Sequence, residues 1–339
     1  MKVVTFGEIM LRLSPPSFKR ISQTNSFELY YGGSEANVSV SLANYGLETI
    51  FVTKVPDNEI GKSAINKLNQ YGVDTSHILK GGERLGTYYL EKGASQRPSK
   101  VIYDRKYSSI STALPDEFNW DEIFFDAEWY HVSGITPALS EETFDNTLKS
   151  VQKAKEKGLT VSCDLNYRAK LWTQESANTH MEQIMKYVDV LIANEEDIEK
   201  VFSIKADNTD VEKGELDYDS YQKVAREVLK KYDCKLVACT LRTSISASRN
   251  KWKSLIFDGQ KVIQSREYDV TVIDRVGAGD SFSAGLIYGL LNDYSIKDTL
   301  EFATAASCLK HTIEGDFNML SVEEVESLVN GNASGRVQR

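Results

Sequence analysis

The chain has 339 residues, 41% of them hydrophobic, enough to bury a large core in one large domain or two unequal ones. Its 40 basic and 49 acidic residues leave a formal charge of -9, which argues against a nucleic-acid partner, because a phosphate backbone is bound by a dense basic surface. No apolar run approaches the roughly 18 residues that span a bilayer, and neither the four cysteines nor the four histidines show metal-site spacing. We therefore expect a soluble, cytoplasmic protein with reduced, buried thiols, no membrane partner and no histidine-driven hydrolase site.

From the N-terminus, MKVVTFGEI reads as a buried strand rather than a signal peptide. Residues 10–33 contain FELYYGG, and residues 84–108 contain GTYYLEK and KVIYDRK; both are strand-like, carry prolines and lack a helical period. They predict antiparallel strands of a small accessory sheet that covers a site or pairs with another subunit, with plain surface hairpins as the alternative. Between them, Tyr31-Gly32-Gly33-Ser34-Glu35-Ala36-Asn37 makes a tight turn where a hydroxyl-bearing ligand can approach the main chain, and Ser34 is placed to cap a helix running through Ala43.

The runs TIFVTKV, WYHVSGI, LTVSCDL, VDVLIAN and KLVACTL then alternate with helical stretches, one led by Ser140 and closed by Gly158. This alternation predicts an α/β domain whose largely parallel sheet is covered on both faces. CDLNYR presents Asp164, Asn166 and Arg168 at a strand's carboxyl end, where open α/β sheets place their ligands. IANEEDIEK presents Asn194, Glu195, Glu196 and Asp197 in the same way. These acids suit a magnesium ion held through water, and equally a first helical turn favoured by the helix dipole.

DRVGAGDSFSAGLIYGL, residues 274–290, lacks the P-loop pattern, and Phe282 stands where a dinucleotide fingerprint needs its third glycine. What remains is the strand YDVTVID, a turn through Gly277, Ala278 and Gly279, and a helix. Free backbone N–H groups at such a helix start suit a phosphoryl group gaining charge. Asp280 beside them is either a helix cap or a base, and an ordinary aspartate, with pKa about 3.9, is already ionised at neutral pH.

Taken together, GGSEAN, DLNYR and DRVGAGDSFSAG resemble, in order and across nearly the whole chain, the motifs of the ribokinase-like (phosphofructokinase-B type) carbohydrate kinases. The resemblance implies a ribokinase-like α/β/α sandwich over residues 1–330, with a mostly parallel sheet and a β-sheet lid formed by residues 10–33 and 84–108; residues 331–339 are left as a polar tail. It implies ATP and Mg²⁺, an anion hole at Gly277, Ala278 and Gly279, and Asp280 as the base, with Arg168 on the phosphate path.

The lid segment is most similar to that of 2-keto-3-deoxygluconate kinases, which implies an acidic sugar met by Tyr89, Tyr103 and Arg105, with Gly33 and Asn37 on its hydroxyls and Arg168 near its carboxylate. Nucleotide contacts are implied for Asn166, Arg168, Asn194, Thr240, Arg242, Gly277 and Gly279, and a water-bridged metal for Glu196 and Asp197. Fructokinase, or a sensor that keeps the fold without transferring phosphate, are the alternatives, and a homo-oligomer assembled through the lid is expected. Four departures stand out: TLRTSISAS has Arg242 where the family has glycine, Arg275 replaces threonine, the family's Asn-x-x-Glu magnesium motif reads Asn194-Glu195-Glu196-Asp197 with aspartate in the fourth place, and Val276 removes an oxygen from the monovalent-cation site that some relatives hold near Asp274.

Overall fold

A computed structural model of the protein describes residues 1–204 and 218–332. The segment 333–339, most of the expected polar tail, lies outside the described residues. The chain opens with β1 (Lys2–Phe6), then β2 (Met10–Ser14) and β3 (Glu28–Gly32). Helix α1 (Ser34–Asn44), β4 (Glu48–Val55), α2 (Glu59–Gln70) and β5 (Ile78–Lys80) follow, and then β6 (Gly86–Glu91) and β7 (Lys100–Asp104). The short α3 (Trp120–Ile123) leads into β8 (Trp129–Ser133), α4 (Glu141–Glu156), β9 (Thr160–Asp164), α5 (Gln174–Ile184), β10 (Val190–Asn194) and α6 (Glu195–Phe202). After α7 (Tyr218–Tyr232) come β11 (Leu236–Ser246), β12 (Arg249–Phe257), β13 (Val262–Gln264) and β14 (Tyr268–Thr271). Helices α8 (Ala278–Leu291), α9 (Ile296–Lys310) and α10 (Val322–Val329) complete the described chain.

Ten strands form the main sheet in the order β13-β12-β11-β10-β9-β8-β1-β4-β5, with β14 on β12. From β11 to β5 neighbouring strands are parallel, and β12, β13 and β14 close the far edge antiparallel. Every apolar run singled out from the sequence is one of these strands, and their valines, isoleucines and leucines are buried on both faces. One face packs on α4, α5, α6 and α7 through residues such as Val151, Met181, Ile198 and Val228. The other packs on α1, α8, α9 and α10 through Leu42, Phe282, Phe302 and Val325. The four cysteines are free and buried, as expected.

The lid is a separate four-stranded sheet, β3-β2-β6-β7. One expectation is corrected: β2 and β6 run parallel, while the β2–β3 and β6–β7 pairs are antiparallel. The chain between β3 and β6 passes through the main sheet before it returns, so these two strands are joined by a crossover and not by a hairpin. Among the described residues, no helix is long and apolar enough to cross a membrane.

Candidate active site

Most helices carry a side-chain cap: Asn58 on α2, Ser140 on α4, Thr173 on α5, Ser295 on α9 and Ser321 on α10. Helices α1 and α8 have none, and both point their N-termini into one cavity. Ser34 is therefore not a cap but the first residue of α1, after Gly33. Glycine is required there because a Cβ on Gly33 would lie 1.8 Å from the Glu8 carbonyl oxygen. At α8 the N-cap is Gly277, whose φ of 82° falls in the left-handed region that glycine adopts freely.

Asp280 is the third residue of α8, and its carboxylate turns away from its own helix. Ser34 Oγ donates to Asp280 Oδ1 at 2.8 Å, and Asn37 Nδ2 donates to Oδ2 at 2.6 Å. The cap reading is thereby corrected: α1 satisfies this carboxylate while no side chain caps α8. Burial pushes Asp280 up to about 6, with the Asn37 and Ser34 hydrogen bonds and the Arg168 charge pulling the other way. The aspartate is not the ordinary one expected from sequence; it titrates close to the range in which a base works.

The cavity has a volume of about 440 Å³ and lies at the carboxyl ends of the strands, under the lid. Gly33, Asn37, Tyr103 and Arg105 line it on the lid side, and Gly277, Ala278, Gly279 and Asp280 on the α8 side. Asn166, Arg168, Asn194, Thr240 and Arg242 line it along the strand ends, where Asn194 pairs in register with Thr240. Tyr89 does not line it. Strand side chains alternate between faces, and in β6 it is Tyr88 that turns inward, in register with Arg12 and Tyr103, whereas Tyr89 packs edge-on against Phe27 on the opposite face.

Arg105 reaches back from the end of the lid to Glu8 Oε2. Glu8 Oε1 and Arg105 Nε are buried with no hydrogen-bond partner among the described residues, so the pair keeps a spare acceptor and a spare donor at the cavity wall. Glu8, Tyr88 and Asp316 line the cavity without having been expected. Glu8 carried a signal, being an acid directly after a buried strand. Asp316, in a loop between α9 and α10, carried none.

Along the strand ends, Asn194 accepts from the Glu196 and Asp197 backbone N–H groups at 2.9 Å each, so this cluster does begin a capped helix. Glu196 pairs with Lys200 one turn on. Asp197 is pushed up to about 6 by burial, against the Arg168 charge. Asp164 is raised well above the usual carboxylate range by burial and by the charges of Asp197 and Asp280. A dication would relieve Asp164, which the other two carboxylates raise, although the described residues contain no set of three His, Cys, Asp or Glu side chains close enough to bind one alone.

TLRTSISAS is not a loop. It continues β11 to Ser246, paired antiparallel with β12, because its alternating Thr, Ser and Ile favour a pleated strand and it contains no glycine to break one. Arg242 thus projects from a strand, and Arg275 Nη2 donates to the Ala247 carbonyl at 2.8 Å, pinning the turn that follows. Burial lowers the pKa of Arg275 and the neighbouring Arg242 charge adds to this, so two like charges face the cavity together.

The sequence pattern of the pfkB family carbohydrate kinases matches residues 1–321. A Haloferax volcanii protein named 2-dehydro-3-deoxygalactonokinase is 34% identical over 334 residues, 98% of this chain and 98% of that protein. A Bacillus subtilis 2-dehydro-3-deoxygluconokinase is 28% identical over 328 residues, 96% of this chain and 94% of that protein. The crystal structure of a 2-dehydro-3-deoxygluconokinase from Thermotoga maritima superposes with a TM-score of 0.94 at 54% identity, covering 98% of this chain and 100% of that one.

Proposed function

The chain belongs to the pfkB family of carbohydrate kinases, and from that premise we propose that it transfers the terminal phosphoryl group of ATP to 2-dehydro-3-deoxygluconate (2-keto-3-deoxygluconate), giving the 6-phosphate. One observation carries the reading: a buried carboxylate, Asp280, at the start of a helix whose first N–H groups are uncapped, inside the cavity that also holds Arg105 and Arg168.

In this reading Asp280, oriented by Ser34 and Asn37, accepts the proton of the sugar's terminal hydroxyl as the oxygen attacks phosphorus. The backbone N–H groups from Gly277 to Asp280 meet the charge on the moving phosphoryl group, since phosphoryl transfer is mostly positioning and charge stabilisation. Arg105 and Arg168 offer planar donor forks to the sugar carboxylate, and Gly33 and Asn37 receive hydroxyls. Arg242 and Arg275 face the nucleotide phosphates, with Asn166, Asn194 and Thr240 beside them. Mg²⁺ neutralises the phosphates when bound; Asp164 and Asp197 would hold it through water, Glu196 being taken by Lys200.

The outer face of the lid supports assembly through a second copy. Leu29, Leu13, Tyr89 and Ile102 lie in register straight across all four strands, and Leu29 and Ile102 are 52% and 54% exposed. A screen of ADP release with 2-dehydro-3-deoxygluconate, its galactonate epimer, 5-dehydro-2-deoxygluconate, fructose and ribose tests the substrate. A clear preference for the gluconate is expected, and preference for fructose would replace this reading by that of a fructokinase.

A further inference from the structure

Behind the Gly277–Asp280 turn lies a closed cluster of charges. Arg12, from β2, is fully buried; its Nη2 donates to Asp274 Oδ2 at 2.6 Å and its Nη1 to Asp316 Oδ1 at 2.9 Å. Lys310, the last residue of α9, is also fully buried, and its Nζ donates to the carbonyls of Ile313 at 3.1 Å and Gly315 at 2.9 Å. Asp274 has no idle oxygen: Val276 N donates to Oδ1 at 3.2 Å, and Gly315 N joins Arg12 on Oδ2 at 3.2 Å. The turn rests directly on this cluster, because a Cβ on Gly277 would lie 2.1 Å from the Asp316 carbonyl oxygen and 3.3 Å from Lys310 Cε.

A monovalent cation near Asp274, which the family resemblance suggests, does not fit this donor set. The oxygens around Asp274, its own carboxylate and the nearby carbonyls of residues 313 and 315, already accept hydrogen bonds from Arg12 and Lys310. We infer that the Lys310 ammonium is the built-in cation of this kinase, a positioning residue that gathers the 313–316 loop and holds it under the α8 turn. The inference rests on the kinase reading above.

The charge balance supports it. A buried ammonium persists only where oxygens surround it, and here two carbonyls do so while Asp274 and Asp316 offset the burial that pulls Lys310 down. With Lys310 and Arg12 set against Asp274 and Asp316 the cluster is neutral, so the α8 turn rests on a matched set of charges that needs no reorganisation during the reaction.

The test compares KCl, NH₄Cl and tetramethylammonium chloride at one ionic strength, reading both turnover and melting temperature. For the unaltered protein both readouts are expected to be the same in all three salts. Lys310→Ala is expected to lose about 100-fold in kcat, the scale of one lost charge-stabilising donor, with the sugar KM little changed. NH₄⁺ or K⁺, filling the space left by the ammonium, should then restore at least about tenfold of that loss and raise the melting temperature of the variant. A purely packing role would not respond to a small cation. The inference is overturned if the unaltered protein turns over several-fold faster or melts higher in K⁺ than in tetramethylammonium, or if folded Lys310→Ala ignores all three salts. The comparison on the unaltered protein decides even if the variant fails to fold. Absence of sugar phosphorylation in every salt would instead sink the kinase reading and leave the melting comparison intact.

Discussion

Asn37 Nδ2 donates to Asp280 Oδ2 at 2.6 Å, joining the first turn of α1 to the first turn of α8 across 243 positions of sequence. Two helices that lack side-chain caps are thus tied together by one carboxylate, so the proposed base, hydroxyl site and anion site share one junction.

Asp280→Asn should lower kcat by about 10³-fold, within the range of general-base contributions, while ATP still binds in a calorimetric titration. The same variant should be the more stable protein at pH 8. Asp280 is raised to about 6 when folded from an ordinary value near 3.8, so its stability contribution is fully present below pH 3.8 and is lost as the pH rises through 6. Asparagine removes that loss, on the order of 1 kcal/mol, and thermal melts should show the gain at pH 8 and none at pH 4. A variant that is less stable at both pH values would contradict the burial argument.

The acid limb of the rate profile should follow the same group. With an essential base near 6 in the free protein, kcat/KM falls about tenfold per pH unit on the acid side. Asn37→Ala removes a hydrogen bond that pulls Asp280 down, so its limb should move to higher pH, measured on log kcat/KM against pH. An unmoved limb would assign the profile to another group.

Arg105 and Arg242 should separate the two substrates. Arg105→Ala should raise the sugar-acid KM by about tenfold or more, the worth of one charge-assisted pair, with the ATP KM nearly unchanged. Because the substitution strands the Glu8 carboxylate, Glu8→Gln/Arg105→Ala should show the same loss. Arg242 has no ion-pair partner among the described residues and stands beside Arg275, so Arg242→Ala should show the converse, a raised ATP KM that converges with that of the unaltered protein at high salt. Initial-rate kinetics with each substrate varied check both.

Ile102→Asp, placed at the β7 end of the outer lid row and midway along that strand, should convert the proposed assembly into monomers in light scattering. Burying a carboxylate in an apolar interface carries a cost that such a contact cannot absorb. An unchanged mass would place the subunit contact elsewhere.

The main sheet was legible because parallel strands buried on both faces read as unbroken apolar runs, and the lid because its aromatic runs lack a helical period. Register was harder to read. Tyr88 and Tyr89 are adjacent and alike, and only the pairing of β6 with β2, which seats Tyr88 beside Arg12, decides which faces inward. Ser34 and Asp280 each look like helix caps locally, yet each satisfies the other. Lys310 and Asp316 were invisible for a different reason: nothing in the local sequence of α9 marks its last residue, and what makes it special is a turn more than 30 positions earlier.

The anchoring of Arg12 bears on how the sugar enters. Its bonds to Asp274 and Asp316 lock the central strand of the lid to the body of the enzyme, so swinging the whole sheet away would expose a matched set of charges to be rehydrated at every turnover. The edge strand β7 is largely open to solvent, and it is held at its end, where Asp104 pairs with Arg84 and Arg105 reaches Glu8 in the body. The lid is thereby fastened to the body at two separated points, the Arg12 cluster behind the cavity and the Arg105–Glu8 pair at its rim, so its inner face keeps Tyr88 and Tyr103 at a fixed height above the cavity.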